Sequence, residues 1–84
     1  MVTVKNPEAR RKIREHATMI VGENIRKLRL EKGWTQKEAA QIFANCSESY
    51  FRHIENGQKE ISLVRVIEIA DLFDVTVSEL LEGV

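Results

Sequence analysis

Between Ser47 and Gly57 a short run of residues carries Glu48, Ser49, Arg52, His53 and Asn56, interleaved with the apolar Tyr50, Phe51 and Ile54. A serine hydroxyl pairs with several nucleic-acid bases, and a carboxylate accepts from the cytosine amino group. Ser49, His53 and Glu48 are therefore candidates for base-edge contacts, while Arg52 suits a phosphate or an open helix face better. An exposed helix of this size fits the major groove of B-DNA, about 12 Å wide, with its first residues at the base edges and the start of the preceding helix on the backbone. Catalysis finds no support: two His and one Cys give no recognisable triad, no metal-ligand spacing and no phosphate loop. The expectation is a protein that is not an enzyme and needs neither cofactor nor metal.

Such a helix must be held by its neighbours. Asn6-Pro7-Glu8 reads as a helix start, with a capping Asn, a Pro whose missing N–H costs nothing there, and an acid in the first turn. Ala9, Ile13, Ala17, Ile20, Ile25 and Leu28 then recur at helical spacing, which fits one long helix or two meeting near Thr18–Gly22, and Gly33 ends the run. Thr35 caps a second helix and forms a capping box with Glu38; Ala39, Ala40 and Phe43 are its narrow inner face. Asn45 suits a left-handed turn position, Cys46 a sealing position in the turn, and Ser47 the cap of the third helix, which Gly57 stops. After a loop, Ser62 caps a fourth helix with Leu63, Val66, Ile67, Ala70 and Phe73 at intervals of three and four. Thr76 and Glu79 make a second box opening a last helix with Leu80 and Leu81. No strand-like alternation of useful length occurs, so the expected fold is all-α.

The chain has 84 residues, 43% hydrophobic and 31% charged, enough for one compact domain and one core. No apolar run approaches the ~20 residues of a membrane helix, and the lone Cys46 has no partner within the chain, so the expected location is cytoplasmic. The formal charge of zero hides an asymmetry. Residues 1–37 carry ten basic against four acidic side chains, a net of +6, and residues 38–84 carry three against nine, a net of −6. One basic face could meet a polyanion while the rest of the molecule turns away from it.

Four segments carry a more specific likeness: Gly22-Glu23-Asn24-Ile25-Arg26-Lys27-Leu28-Arg29, then Lys32-Gly33-Trp34-Thr35-Gln36, then Tyr50 to Gly57, then Ile69 to Leu81. In that order and at that spacing the chain resembles the XRE/Cro-type helix-turn-helix family, the DNA-binding domain of phage repressors. The resemblance implies a five-helix phage-repressor-like domain over residues 19–84, preceded by a basic, helical extension over 1–18. It implies a sequence-specific double-stranded-DNA-binding transcriptional regulator, expected to be a repressor, with the third helix as the reader. It places Gln36 on a phosphate and against the recognition helix, adds Thr35 and Ser47 at the two helix starts, and puts Asn56 and Lys59 on phosphates. It also pairs Arg29 with Glu55 in a partly buried ion pair. A homodimer is expected, with Phe73, Val75, Val77, Leu80 and Leu81 as its apolar C-terminal surface. Two departures stand out: Ala39 replaces the usual Leu, and one extra residue lies between Phe43 and Cys46, shifting the recognition register by about one position. Glu48 is unusual as well, since a neutral side chain is the common choice there. It favours a rival reading, in which the same fold binds a protein such as a toxin or partner regulator. The run Arg10-Arg11-Lys12-Ile13-Arg14 fits either an added phosphate contact or the solvated face of an extra helix.

Overall fold

The computed structural model describes residues 6–43 and 46–84. These form five helices: α1 (Pro7–Lys32), α2 (Gln36–Ile42), α3 (Glu48–Glu55), α4 (Leu63–Leu72) and α5 (Val77–Leu80). Each begins where a side chain satisfies a backbone N–H that the helix itself leaves open. Asn6 Oδ1 accepts from the Glu8 N–H at 2.9 Å, with Pro7 at the first helical position. Thr35 and Glu38 form a complete capping box, as do Thr76 and Glu79. Ser47 Oγ accepts from the Tyr50 N–H at 3.0 Å, and Ser62 Oγ from the Arg65 N–H at 3.2 Å. The turn position expected of Asn45, and the extra residue before Cys46, lie outside the described residues.

α1 runs unbroken through Thr18–Gly22, so the apolar recurrence belongs to one helix of 26 residues. At 1.5 Å per residue it is about 39 Å long, which accounts for a molecule 50 Å in its longest dimension but 25 and 19 Å in the others. Its first ten residues are exposed, and burial becomes complete only at Val21. From there Val21 and Ile25 meet Ala39, Ala40, Phe43, Phe51, Ile54, Ile69 and Leu80 in one core. Phe43 meets Phe51 edge-on with ring centres 6.2 Å apart, and Trp34 lies 5.7 Å from Phe73.

Burial settles the inner side of α4 and corrects the expected dimer surface. α4 buries Val66, Ile69 and Ala70, with Phe73 just beyond its end, while Leu63 and Ile67 lie in solvent. α4 is apolar on most of its surface, so spacing alone did not choose the inner side. Phe73 and Leu80 are consumed by the chain's own core and cannot form a dimer surface. Val75 and Val77 are half-buried against that core, which leaves Leu81 as the exposed member of the expected set.

The crossing of α1 with α3 sets where the rest of α3 points. Gly22 is buried in it, and a Cβ there would stand 2.4 Å from the Ile54 carbonyl oxygen and 2.8 Å from that of Glu55. Just past α3, Gly57 at φ 73° turns the chain so tightly that its Cβ would sit 3.0 Å from the Met19 Cα. Two turns beyond Gly22 on the same side of α1, Arg29 meets Glu55: Nε donates to Oε2 at 2.6 Å and Nη2 to Oε1 at 3.2 Å. Both residues are almost withdrawn from water, at 7% and 5% exposure. A third guanidinium N–H goes to the Trp34 carbonyl at 2.8 Å, so the same side chain also fastens the α1–α2 turn.

Two stability predictions follow from these contacts. Gly22→Ala forces two helix backbones apart and is expected to cost about 1–3 kcal/mol. In a domain of this size that lowers Tm by roughly 5 °C or more; an unchanged Tm would mean the crossing yields freely. Arg29→Ala or Glu55→Ala leaves its partner charged and dry, and each is expected to cost on the order of 3 kcal/mol in urea unfolding. Replacing both by apolar residues of similar volume should cost far less than either single change. Losses below ~0.5 kcal/mol for both singles would mark a pair no stronger than a surface one.

Candidate nucleic-acid interface

α3 turns Phe51, Ile54 and Glu55 inward and leaves Glu48, Ser49, Arg52 and Asn56 exposed, with His53 half-buried. Ser49, Arg52, His53 and Asn56 are spaced by three and four residues, so they line up as one ridge along the outer side of the helix and its C-cap. Glu48 also faces an open depression beside the ridge, lined by Arg26, Arg29, Thr35, Gln36, Glu48, Arg52, Glu55 and Asn56. The ends of α1, α2 and α3 thus meet at one place. Lys59 follows in the exposed loop after Asn56.

Gln36 joins this surface to the buried pair. Its Nε2 donates to Glu55 Oε1 at 2.9 Å. An ionised carboxylate only accepts, so the amide must present its nitrogen inward. That nitrogen carries a second proton, available to an acceptor outside. Thr35 and Ser47 are caps as well: each hydroxyl accepts from a helix N–H, and the Ser47 hydroxyl keeps its own proton to donate. Glu38 closes the α2 cap, and the Thr35 backbone N–H, followed by its hydroxyl, holds the Glu38 carboxyl below its ordinary pKa. The depressed value means that the cap's contribution is complete at neutral pH and is lost as pH falls through the folded-state pKa.

Other sequence candidates fall elsewhere. Cys46 is half-buried with Sγ 3.7 Å from the Ala40 carbonyl. Burial pushes its thiol pKa up, against the opposing charge of Arg65, so at neutral pH it is a packing group rather than a thiolate. Arg10–Arg14 do not line the depression; Arg11 pairs with Glu15 at 3.8 Å and Arg14 with Glu60 at 3.4 Å. Arg26 is the residue that sequence reading passed over. It is exposed on α1, one turn before Arg29, and brings a guanidinium without an ion pair among the described residues to the depression that Glu48 and Arg52 line. Its spacing from Arg29 was the available signal, because residues three apart share a helix side.

Comparison with known proteins identifies the family. Residues 25–80 match the family model described as Helix-turn-helix. The control protein C.MunI of a Mycoplasma species is 32% identical over 63 residues, covering 75% of this chain and 85% of that protein. The competence pilus inhibition repressor of Acinetobacter baylyi is 34% identical over 62 residues, 74% of this chain and 56% of the longer relative. The crystal structure of the restriction-modification controller protein C.AhdI from Aeromonas hydrophila superposes with a TM-score of 0.67 at 29% identity, over 79% of this chain and 94% of that one. The chain belongs to the XRE-type helix-turn-helix family of DNA-binding transcriptional regulators.

Proposed function

We propose that this regulator binds duplex DNA sequence-specifically by laying α3 in the major groove, and that it represses by occupying a promoter or operator. The observation that carries the reading is the exposed polar ridge Ser49–Arg52–His53–Asn56, mounted on a helix whose other side is locked by a buried ion pair. Ser49 and His53 then meet base edges. Gln36, Thr35, Ser47, Asn56 and Lys59 meet phosphates, joined by Arg26 and Arg52 from either side of the depression. The protein acts by occupancy, without catalysis. Among the described residues no helix is long and apolar enough to cross a membrane, and the place of action is the cytoplasm. One helix reaches only a few base pairs, too few for a rare site in a genome, so the working form is a homodimer on two half-sites.

Positioning and reading separate experimentally. Lys59→Ala is expected to weaken binding to every duplex alike and to lower the log–log salt slope by about one unit. Ser49→Ala or His53→Ala is expected to cost about 1–3 kcal/mol on the preferred site and to leave random duplex nearly untouched. Glu48→Gln discriminates further: a changed base preference at one position marks a cytosine contact, and tighter binding to all sequences marks simple repulsion of phosphate. If none of these variants alters DNA affinity while binding of a protein partner is lost, α3 reads protein and the proposal fails.

A further inference from the structure

Some of the apolar side chains that the monomer leaves in water are grouped. Leu63 (71% exposed), Val64 (65%) and Ile67 (50%) share the outer face of α4. The helical repeat continues that face to Asp71, with Glu68 beside it, both exposed. On the first turns of α1, Ile13 is 62% exposed and shares an open hollow with Pro7, Arg10 and Arg14. A groove lined by Ala17, Val21, Ile61, Val66 and Leu81 runs between the two helices.

A single exposed isoleucine requires no explanation. The charges around it do. Residues 7–16 carry four cations around Ile13 against Glu8 and Glu15, a net of +2, whereas residues 63–84 carry Glu68, Asp71, Asp74, Glu79 and Glu82 against Arg65, a net of −4. One helix end is thus an apolar centre in a basic frame, and the outer side of α4 with α5 is an apolar centre in an acidic one. These surfaces complement each other, but they belong to one rigid chain. α1 is unbroken through Thr18–Gly22, so its first turns cannot fold back over the outer face of their own α4. Two copies related by a two-fold axis can exchange them.

We infer that the first turns of α1 are a dimerisation arm: Ile13 of one copy packs on Leu63 and Ile67 of α4 in a second copy, with Arg10 directed toward Glu68 and Asp71, and the exchange is reciprocal. The inference rests on the homodimer reading above and specifies its interface. It also assigns the basic run to protein rather than to DNA, in keeping with the ion pairs that already occupy Arg11 and Arg14.

Sedimentation of the full chain is the first measurement, with Ile13→Glu and Arg10→Glu beside it. Both positions are exposed, so the variants should keep the helicity and Tm of the unaltered chain. Each is expected to raise the dimer dissociation constant at least about tenfold. For the contact itself, Cys46→Ser chains carrying Ile13→Cys are mixed with Cys46→Ser chains carrying Ile67→Cys and oxidised. A disulfide joining the two kinds of chain, identified by its mass, is expected. The inference requires both results. If the unaltered chain is a dimer and either result fails, the arm is wrong and the dimer reading stands; a dimer left intact while Arg10→Glu weakens random-duplex binding would return the basic run to DNA. An unaltered chain that stays monomeric with and without DNA removes the dimer reading and the arm together.

Discussion

Glu55 is an ionisable carboxylate with almost no access to water, and such a group is tolerated only where its lost hydration is replaced. Three donors replace it: two from Arg29 on α1 and one from Gln36 at the start of α2. Because Glu55 is the last residue of α3, satisfying its charge fixes the relation of three helices at once. Gly22 is the steric side of the same constraint, since the helices must approach to backbone contact before the guanidinium reaches the carboxylate. No buried side-chain nitrogen or oxygen among the described residues lacks a partner. The hydrophobic core supplies most of the free energy of folding, but the attraction of apolar surface for apolar surface is non-directional. The carboxylate's hydrogen bonds are not.

This arrangement divides labour along α3. Its inward side is consumed by structure, and its outward ridge makes no side-chain hydrogen bond among those described. Residues on that ridge can be exchanged without disturbing the fold, so its chemistry is free to vary while the scaffold stays fixed. The charge of the molecule follows the same plan. Arg26 and Arg52 line the depression beside the ridge and Lys59 is exposed in the loop after α3, while residues 63–84 carry five acidic side chains against one basic.

Much of this was legible in the sequence. Each of the five helix starts was marked by its capping residue, because a cap is a local contract between neighbours: Asn6, Thr35, Ser47, Ser62 and Thr76 all accept the expected N–H. The Arg29–Glu55 pair was legible through family likeness alone, since nothing local joins residues 26 apart. What failed was long-range. Gly22 looked like a possible break because its reason, a neighbouring backbone, lies in another helix. The inner side of α4 was not legible, because Leu63 and Ile67 fit the helical repeat as well as Val66 and Ala70 do. Phe73 and Leu80 were offered to a partner that the monomer's own core had already replaced. Asn24 gave no sign of its task, which is to donate from Nδ2 to the carbonyls of Leu80 at 2.8 Å and Glu82 at 2.9 Å and so hold the end of the chain on α1.

α1 is one helix with two kinds of support. From Val21 onward it is held by the core. Over residues 7–16, all exposed, its backbone is sustained by the Asn6 cap, Pro7, the acid at Glu8 and the exposed Arg11–Glu15 and Arg14–Glu60 pairs, each worth a few tenths of a kcal/mol to about one. Ten residues with only such terms are marginal as a helix in water. Amide protons in the first turns should therefore exchange through local fraying, and those past Val21 only when the domain opens as a whole. The boundary between fast and slow exchange falls inside a single continuous helix, so this protein's cooperative unit takes in only part of its longest structural element.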